Sequence, residues 1–247
     1  MDHALTNHLP GNTFHAAAAP RFDMYTGIHK ALRAFMADTL LRLGRVDVED
    51  ADELGAALAQ LDALLAELRH HLHNENDFVH TAIEARRPAG ASRTAADHVE
   101  HQASIADLED EVRTLRAADP ARRALLALRL YRHLALFVAE NLEHMQIEET
   151  ANQATLWALY TDAELAAVHD AILANHTPEQ MAVVVRWMAR ALSPQELTGL
   201  CLDARAKLPP EAFAGLFGLI RAELDPARSA RLARTLDVAP VPGLVEA

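Results

Sequence analysis

Apolar residues recur every three to four positions from about residue 21 to residue 150, and four stretches hold that rhythm long enough to make long amphipathic helices. The first runs roughly from Phe22 to Leu43, with Tyr25, Ile28, Leu32, Met36 and Leu40 on one face and Gly44 as a stop. A second begins after Asp47 to Asp50, carries Leu54, Leu58, Leu61, Leu64 and Leu68, and is broken at Pro88-Ala89-Gly90. The third takes Ser92 as its N-cap and shows Ile105, Leu108, Val112 and Leu115 before Asp119-Pro120 ends it. The fourth follows that proline with Leu130, Leu134 and Phe137. Long helices joined by short breaks are the pattern of an up-down-up-down four-helix bundle.

After Glu149 the segments shorten. Thr161-Asp162-Ala163-Glu164, Thr177-Pro178-Glu179, Ser193-Pro194-Gln195-Glu196 and Leu208-Pro209-Pro210-Glu211 each have the form of a helix start. No sustained repeat at a fixed period accompanies them, so a compact helical extension is expected rather than a solenoid. The fold class is therefore all-α, with a bundle over residues 21–150 and a multi-helical extension over 151–238. Residues 1–20 are expected to form a flexible N-terminal segment and 239–247 a frayed tail.

Carrying each stripe onward exposes candidate chemistry. On the second helix the stripe continues as His71, Glu75, Phe78 and Ala82, and on the fourth as Asn141, His144 and Glu148, so His-x-x-x-Glu occurs twice in phase with apolar faces. His29 shares a face with Tyr25, Leu32 and Met36 on the first helix, and His101 lies four residues before Ile105 on the third. Burying so many polar groups costs several kcal/mol each unless they are paired or hold a metal. His29, His71, Glu75, His101, His144 and Glu148 are the candidate metal ligands. Nitrogen and carboxylate donors without thiolate suit iron or manganese, and six of them exceed what one tetrahedral zinc uses, so two ions fit better than one.

Composition narrows the alternatives. With 23 Lys and Arg against 35 Asp and Glu the chain carries a net charge of −12, which disfavours nucleic acid and anionic membrane as partners. One cysteine, Cys201, allows no internal disulfide or thiolate cage and reads as a buried filler. Mean hydropathy is −0.03 and no apolar run approaches ~20 residues. The first twenty residues lack a cationic stretch ahead of a long apolar core, so they are not read as a signal peptide, and a cytoplasmic location is expected. Glycine-rich nucleotide loops and a Gly-x-Ser-x-Gly elbow do not occur. Of the fourteen histidines, His70, His73, His80, His133, His169 and His176 are out of phase with the stripes and are expected to be solvated.

His29, His71-x-x-x-Glu75, Glu100-His101 and His144-x-x-x-Glu148, in that order on four helices, resemble the hemerythrin-like (HHE cation-binding) family over residues 22–150. The resemblance implies a non-haem di-iron centre: two iron ions, oxo- or hydroxo-bridged, with Glu75 and Glu148 bridging and the histidines capping, and manganese or zinc as substitutes. It also implies O2 or NO as the small ligand. Respiratory members carry a further histidine one turn before the third-helix ligand, where this chain has Asp97. That departure, with Glu100-His101, is closer to the branch associated with nitric oxide responses and iron-centre repair. Glu100, His98, Asp97, Tyr25 and Asn141 are candidates for an additional ligand or for groups that support the ligands.

The alternatives are a di-iron oxidative enzyme turning over peroxide or NO, or a helical interaction module with a structural metal. In either case the C-terminal helices offer a surface for a protein partner. A ferritin-like pattern would need two Glu-x-x-His motifs, and only Glu67-x-x-His70 is present, off the stripe.

Overall fold

In the computed structural model the described residues are 21–238; the expected N-terminal segment and C-terminal tail lie outside them. No strand occurs among these residues. The long helices are α1 (Thr26–Gly44), α2 (Ala51–Asn74), α4 (Ser92–Arg116) and α5 (Pro120–Ile147). A π-helical turn, Glu75–His80, carries α2 into the short α3 (Thr81–Arg86). A second, Glu148–Asn152, carries α5 into α6 (Gln153–Leu159), so this helix does not stop at Glu149 but runs on to Leu159. The extension holds α7 (Asp162–Ala174), α8 (Pro178–Ala191), α9 (Pro194–Lys207), α10 (Pro210–Ala222) and α11 (Pro226–Thr235). None of the described helices is long and apolar enough to cross a membrane.

Each long helix packs against two others: α1 on α2 and α5, and α4 on α2 and α5. The stripes meet in one apolar core of Leu32, Phe35, Met36, Leu58, Leu61, Leu64, Leu68, Ile105, Leu108, Leu130, Leu134 and Phe137. Contacts between neighbours run in opposite chain directions: Asp97 meets His144 and Glu111 meets Arg129 across α4 and α5, while Arg69 meets Glu109 and Asp62 meets Arg116 across α2 and α4. Gly44 is the last residue of α1 and makes no left-handed turn there. A Cβ there would come within 2.8 Å of the Tyr131 ring, so glycine lets α1 close onto α5.

Local chemistry explains the helix starts. Asp50 caps α2, accepting from the backbone N–H of Asp52 and Glu53. Ser92 is not a cap; α4 starts at Ser92 itself, after Ala91, without a side-chain cap bond. In the extension Thr161, Thr177 and Ser193 each form a full capping box with the residue three positions on. At α11 the cap is one-sided: Asp225 accepts from the backbone N–H of Arg228 ahead of Pro226, a start not among those expected from the sequence.

The extension has its own apolar core, built around Val185, Ala189, Leu197, Cys201, Phe213, Phe217 and Ile220. It rests on the bundle mainly through α8 on α1. There Trp187 stacks on Phe35 at 4.2 Å between ring centroids, and Lys30 pairs with Glu196 at 2.6 Å.

Candidate metal centre

The two π-helical turns begin at Glu75 and Glu148, the two stripe glutamates. Each turn inserts one residue relative to an α-helix, so the inward face slips by one position. After Glu75 the buried residues are therefore Val79, His80 and Ile83, whereas Phe78 and Ala82, expected from a straight 3.6-residue repeat, are only half-buried. His80, expected in solvent, is buried for the same reason. Its ring stacks on His98 at 4.7 Å, and its Nε2 hydrogen-bonds the Thr94 hydroxyl at 3.1 Å. His70, His73, His133, His169 and His176 stand partly or fully exposed.

Six side chains converge inside the bundle: His29 from α1, His71 and Glu75 from the second helical run, His98 from α4, and His144 and Glu148 from the fourth run. All are at least nine-tenths buried. They form two groups, His29–His71–Glu75–Glu148 and Glu75–His98–His144–Glu148, in each of which four donor atoms lie within 4.8 Å of one another. The glutamates belong to both. Glu75 Oε1 stands 3.7 Å from His29 Nε2 and 3.3 Å from His71 Nε2, while its Oε2 stands 3.4 Å from His98 Nε2. Glu148 Oε2 is 3.5 Å from His29 Nε2 and 3.3 Å from His144 Nε2, with Oε1 3.6 Å from His98 Nε2.

None of these approaches makes a hydrogen bond, and the separations are close to the span of donors sharing a cation. Two atoms each about 2.1 Å from one ion lie roughly 3.0–3.4 Å apart at bond angles from 90° to 109°. All four carboxylate oxygens, with His29 Nε2 and His71 Nε2, are buried and without a hydrogen-bond partner. Orphaned buried acceptors on two carboxylates are costly, and a cation between them removes the cost. The residues present thus fit a metal, and the two buried His/Glu groups could hold metal ions.

Outer partners aim the rings. His29 Nδ1 meets Glu149 Oε1 at 3.1 Å, and Glu149 is in turn clamped by Arg33. His98 Nδ1 meets Asn76 Oδ1 at 2.8 Å, and His144 Nδ1 meets Asp97 Oδ2 at 3.2 Å. A proton held on Nδ1 by each oxygen makes Nε2 the nitrogen directed at the shared glutamates, the orientation metal-bound histidines use, and His98 Nε2 and His144 Nε2 also meet each other there at 3.0 Å. Glu149, not singled out in the sequence, lies one residue beyond Glu148; only the three-dimensional approach of α1 reveals its contact with His29.

Among these donors, protons on the histidines balance the charge of the carboxylates. Burial disfavours a charged ring at His29, but Glu149, Glu75 and Glu148 outweigh it and raise its pKa to about 9. At His98 burial is likewise outweighed, by Glu148 and Glu75, again to about 9. Burial pushes His71 down to about 4, so its ring is neutral. Glu75 and Glu148 stay below the usual carboxylate range despite burial, because the histidines around them favour the ionised form.

His101 stands outside both groups, and His98 occupies the α4 position instead. The pairings Asp97–His144 and Glu111–Arg129 set the register of α4 on α5 and put His101 about level with residue 140, one turn before His144 and two before Glu148. His101 packs edge-on against His144 at 4.9 Å and Phe137 at 5.9 Å. Tyr25 is 1% exposed beside His29, at 5.3 Å between rings, and its hydroxyl has no hydrogen-bond partner. Burial, then the charges of Glu148 and Glu75, hold that hydroxyl well above the ordinary phenol pKa. Asn141 does not orient His144; its amide donates to the Phe137 carbonyl at 2.8 Å. Glu100 is exposed on α4.

No family model matches this chain, and no curated protein matches it.

Proposed function

We propose that this chain is a hemerythrin-like protein whose non-haem di-iron centre binds or senses a small diatomic ligand, O2 or NO. The observation that carries the reading is the pair of buried glutamates shared between two four-donor groups, with every carboxylate oxygen lacking a hydrogen-bond partner. Imidazole and carboxylate without thiolate suit iron. His29 and His71 would hold one ion, His98 and His144 the other, and Glu75 and Glu148 both. The bound ions would supply reversible redox chemistry and coordination positions that four protein donors leave open.

The chain's own residues do the rest. Glu149, Asn76 and Asp97 hold the Nδ1 protons, so His29, His98 and His144 already turn Nε2 inward, and loss of the Nε2 proton is what a bound ion would require. Burial of all six donors keeps bulk solvent and large molecules away, which favours a ligand of two or three atoms.

Metal analysis with an absorption spectrum of the oxidised protein tests the reading. Two irons per chain and near-ultraviolet charge-transfer bands are expected, and His71→Ala and Glu148→Ala should remove both. A protein that binds no iron, or variants that change neither property, would contradict it. Sustained consumption of peroxide or NO by the reduced protein would instead make it an oxidative enzyme. A metal that raises the melting temperature without any ligand-dependent spectrum would make the centre structural.

A further inference from the structure

A cavity of about 200 Å³ opens between α4 and α5, beside the Glu75–His98–His144–Glu148 group. Asp97, Glu100 and His101 line it from α4, and Glu140, Glu143 and His144 from α5. Arg93 is the one cationic side chain among its walls, against four carboxylates. Glu100, Glu140 and Glu143 are exposed, while Asp97 is half-buried and bonded to His144. His101 lies deeper. It is 4% exposed, its Nδ1 has no hydrogen-bond partner, and its ring abuts that of His144. The walls thus lead from exposed carboxylates, through a buried histidine with a spare nitrogen, to a member of the metal-ligating group.

We propose that this cavity is the uptake route of the centre: its carboxylates gather a hydrated divalent cation, and His101 takes it from water and passes it to His144 and His98. The proposal rests on the reading of the two groups as a metal centre. A divalent ion gives up its water in steps, and each step needs a replacement donor. The exposed carboxylates can act through the remaining hydration shell. His101 supplies a nitrogen where the ion leaves the solvent, within one turn of α4 from His98. A cleft lined by one sign of charge raises the local concentration of the opposite ion and its on-rate by about 10–10³-fold, an effect that falls steeply with ionic strength.

Stopped-flow uptake of Co(II) by the metal-free full-length protein, followed by its visible absorption, tests this. The triple variant Glu100→Gln, Glu140→Gln, Glu143→Gln alters exposed residues only. It should take up cobalt about tenfold more slowly at low salt, lose most of the salt dependence, and reach the wild-type end point of two ions. A control triple at exposed sites elsewhere, Glu49→Gln, Asp107→Asn and Glu211→Gln, should match the wild type. His101→Ala and the bulkier His101→Gln should both slow uptake and leave the end point at two. Unchanged rates in the cavity triple would overturn the proposal. So would a lower end point in either His101 variant, which would make His101 a resident ligand rather than a passage. Absence of cobalt uptake by the wild type would instead overturn the metal-centre reading itself, and the route with it.

Discussion

The bundle and the extension solve the same packing problem with opposite interiors. Every buried polar or charged side chain among the described residues lies between His29 and Thr155; the extension from α7 onward buries only apolar residues and Cys201. The extension is built from short helices with strong local caps and a dry core. The bundle accepts His29, His71, Glu75, His80, His98, His101, His144 and Glu148 at one end of an otherwise leucine-rich core. A helical core has no packing reason to take on these groups, so the contrast marks where a metal ion could be held. Glu67 sharpens it. It is buried on α2 two turns before Glu75, but burial alone acts on it and raises its pKa to about 7, whereas Glu75 is held ionised by histidines.

The contrast can be broken from either side. The largest effect of a single substitution is expected in the dry core. Phe217→Ala, which removes a buried ring stacked on Phe213, should cost about 3–5 kcal/mol by denaturant unfolding and leave metal content unchanged. A loss of bound metal in that variant would show the two regions are not separate.

Next is metal loading. An ion at a hundredfold excess over its Kd stabilises by about 2.7 kcal/mol per site, which should raise the calorimetric melting temperature by roughly 5 °C or more. Affinity should also climb with pH up to about 9, because His29 and His98 must each lose a proton before they can ligate. A pH-independent Kd between 6 and 8, measured by competition with a chelator, would contradict that.

Smaller again is the cost of Glu67. With a folded pKa near 7, above the ordinary 4.5, the neutral carboxyl is favoured in the folded protein. Stability is therefore unaffected below about pH 4.5, falls as pH rises to 7, and levels off above it. Glu67→Gln should stabilise by at most roughly 3 kcal/mol at pH 8 and hardly at all at pH 4.5. The smallest effect belongs to a cap: Ser193→Ala should cost about 1 kcal/mol and leave the centre untouched.

The helices and five of the six converging donors were legible in the sequence because both follow from periodicity within one helix. Leu54 to Leu68 leads directly to His71 and Glu75, and Leu130 to Phe137 leads to His144 and Glu148. What periodicity cannot carry is what happens between helices. His98 and His101 sit three residues apart on one face of α4, and only the register of α4 against α5 decides which meets the glutamates. The π-helical turns were equally hidden. Neither contains Gly or Pro, so nothing local announces the extra residue that turns Val79, His80 and Ile83 inward. Glu149, Asn76 and Asp97 act through partners on other elements, and of these only Asp97 had been singled out, from its position in the family pattern.

The central claim is that Glu75 and Glu148 are shared by two ions. Anomalous diffraction from crystals of the metal-loaded protein tests it most directly. Two peaks about 3.5–4 Å apart are expected between the two glutamates, one beside His29 and His71 and the other beside His98 and His144. A single peak, or peaks lying away from both carboxylates, would contradict it.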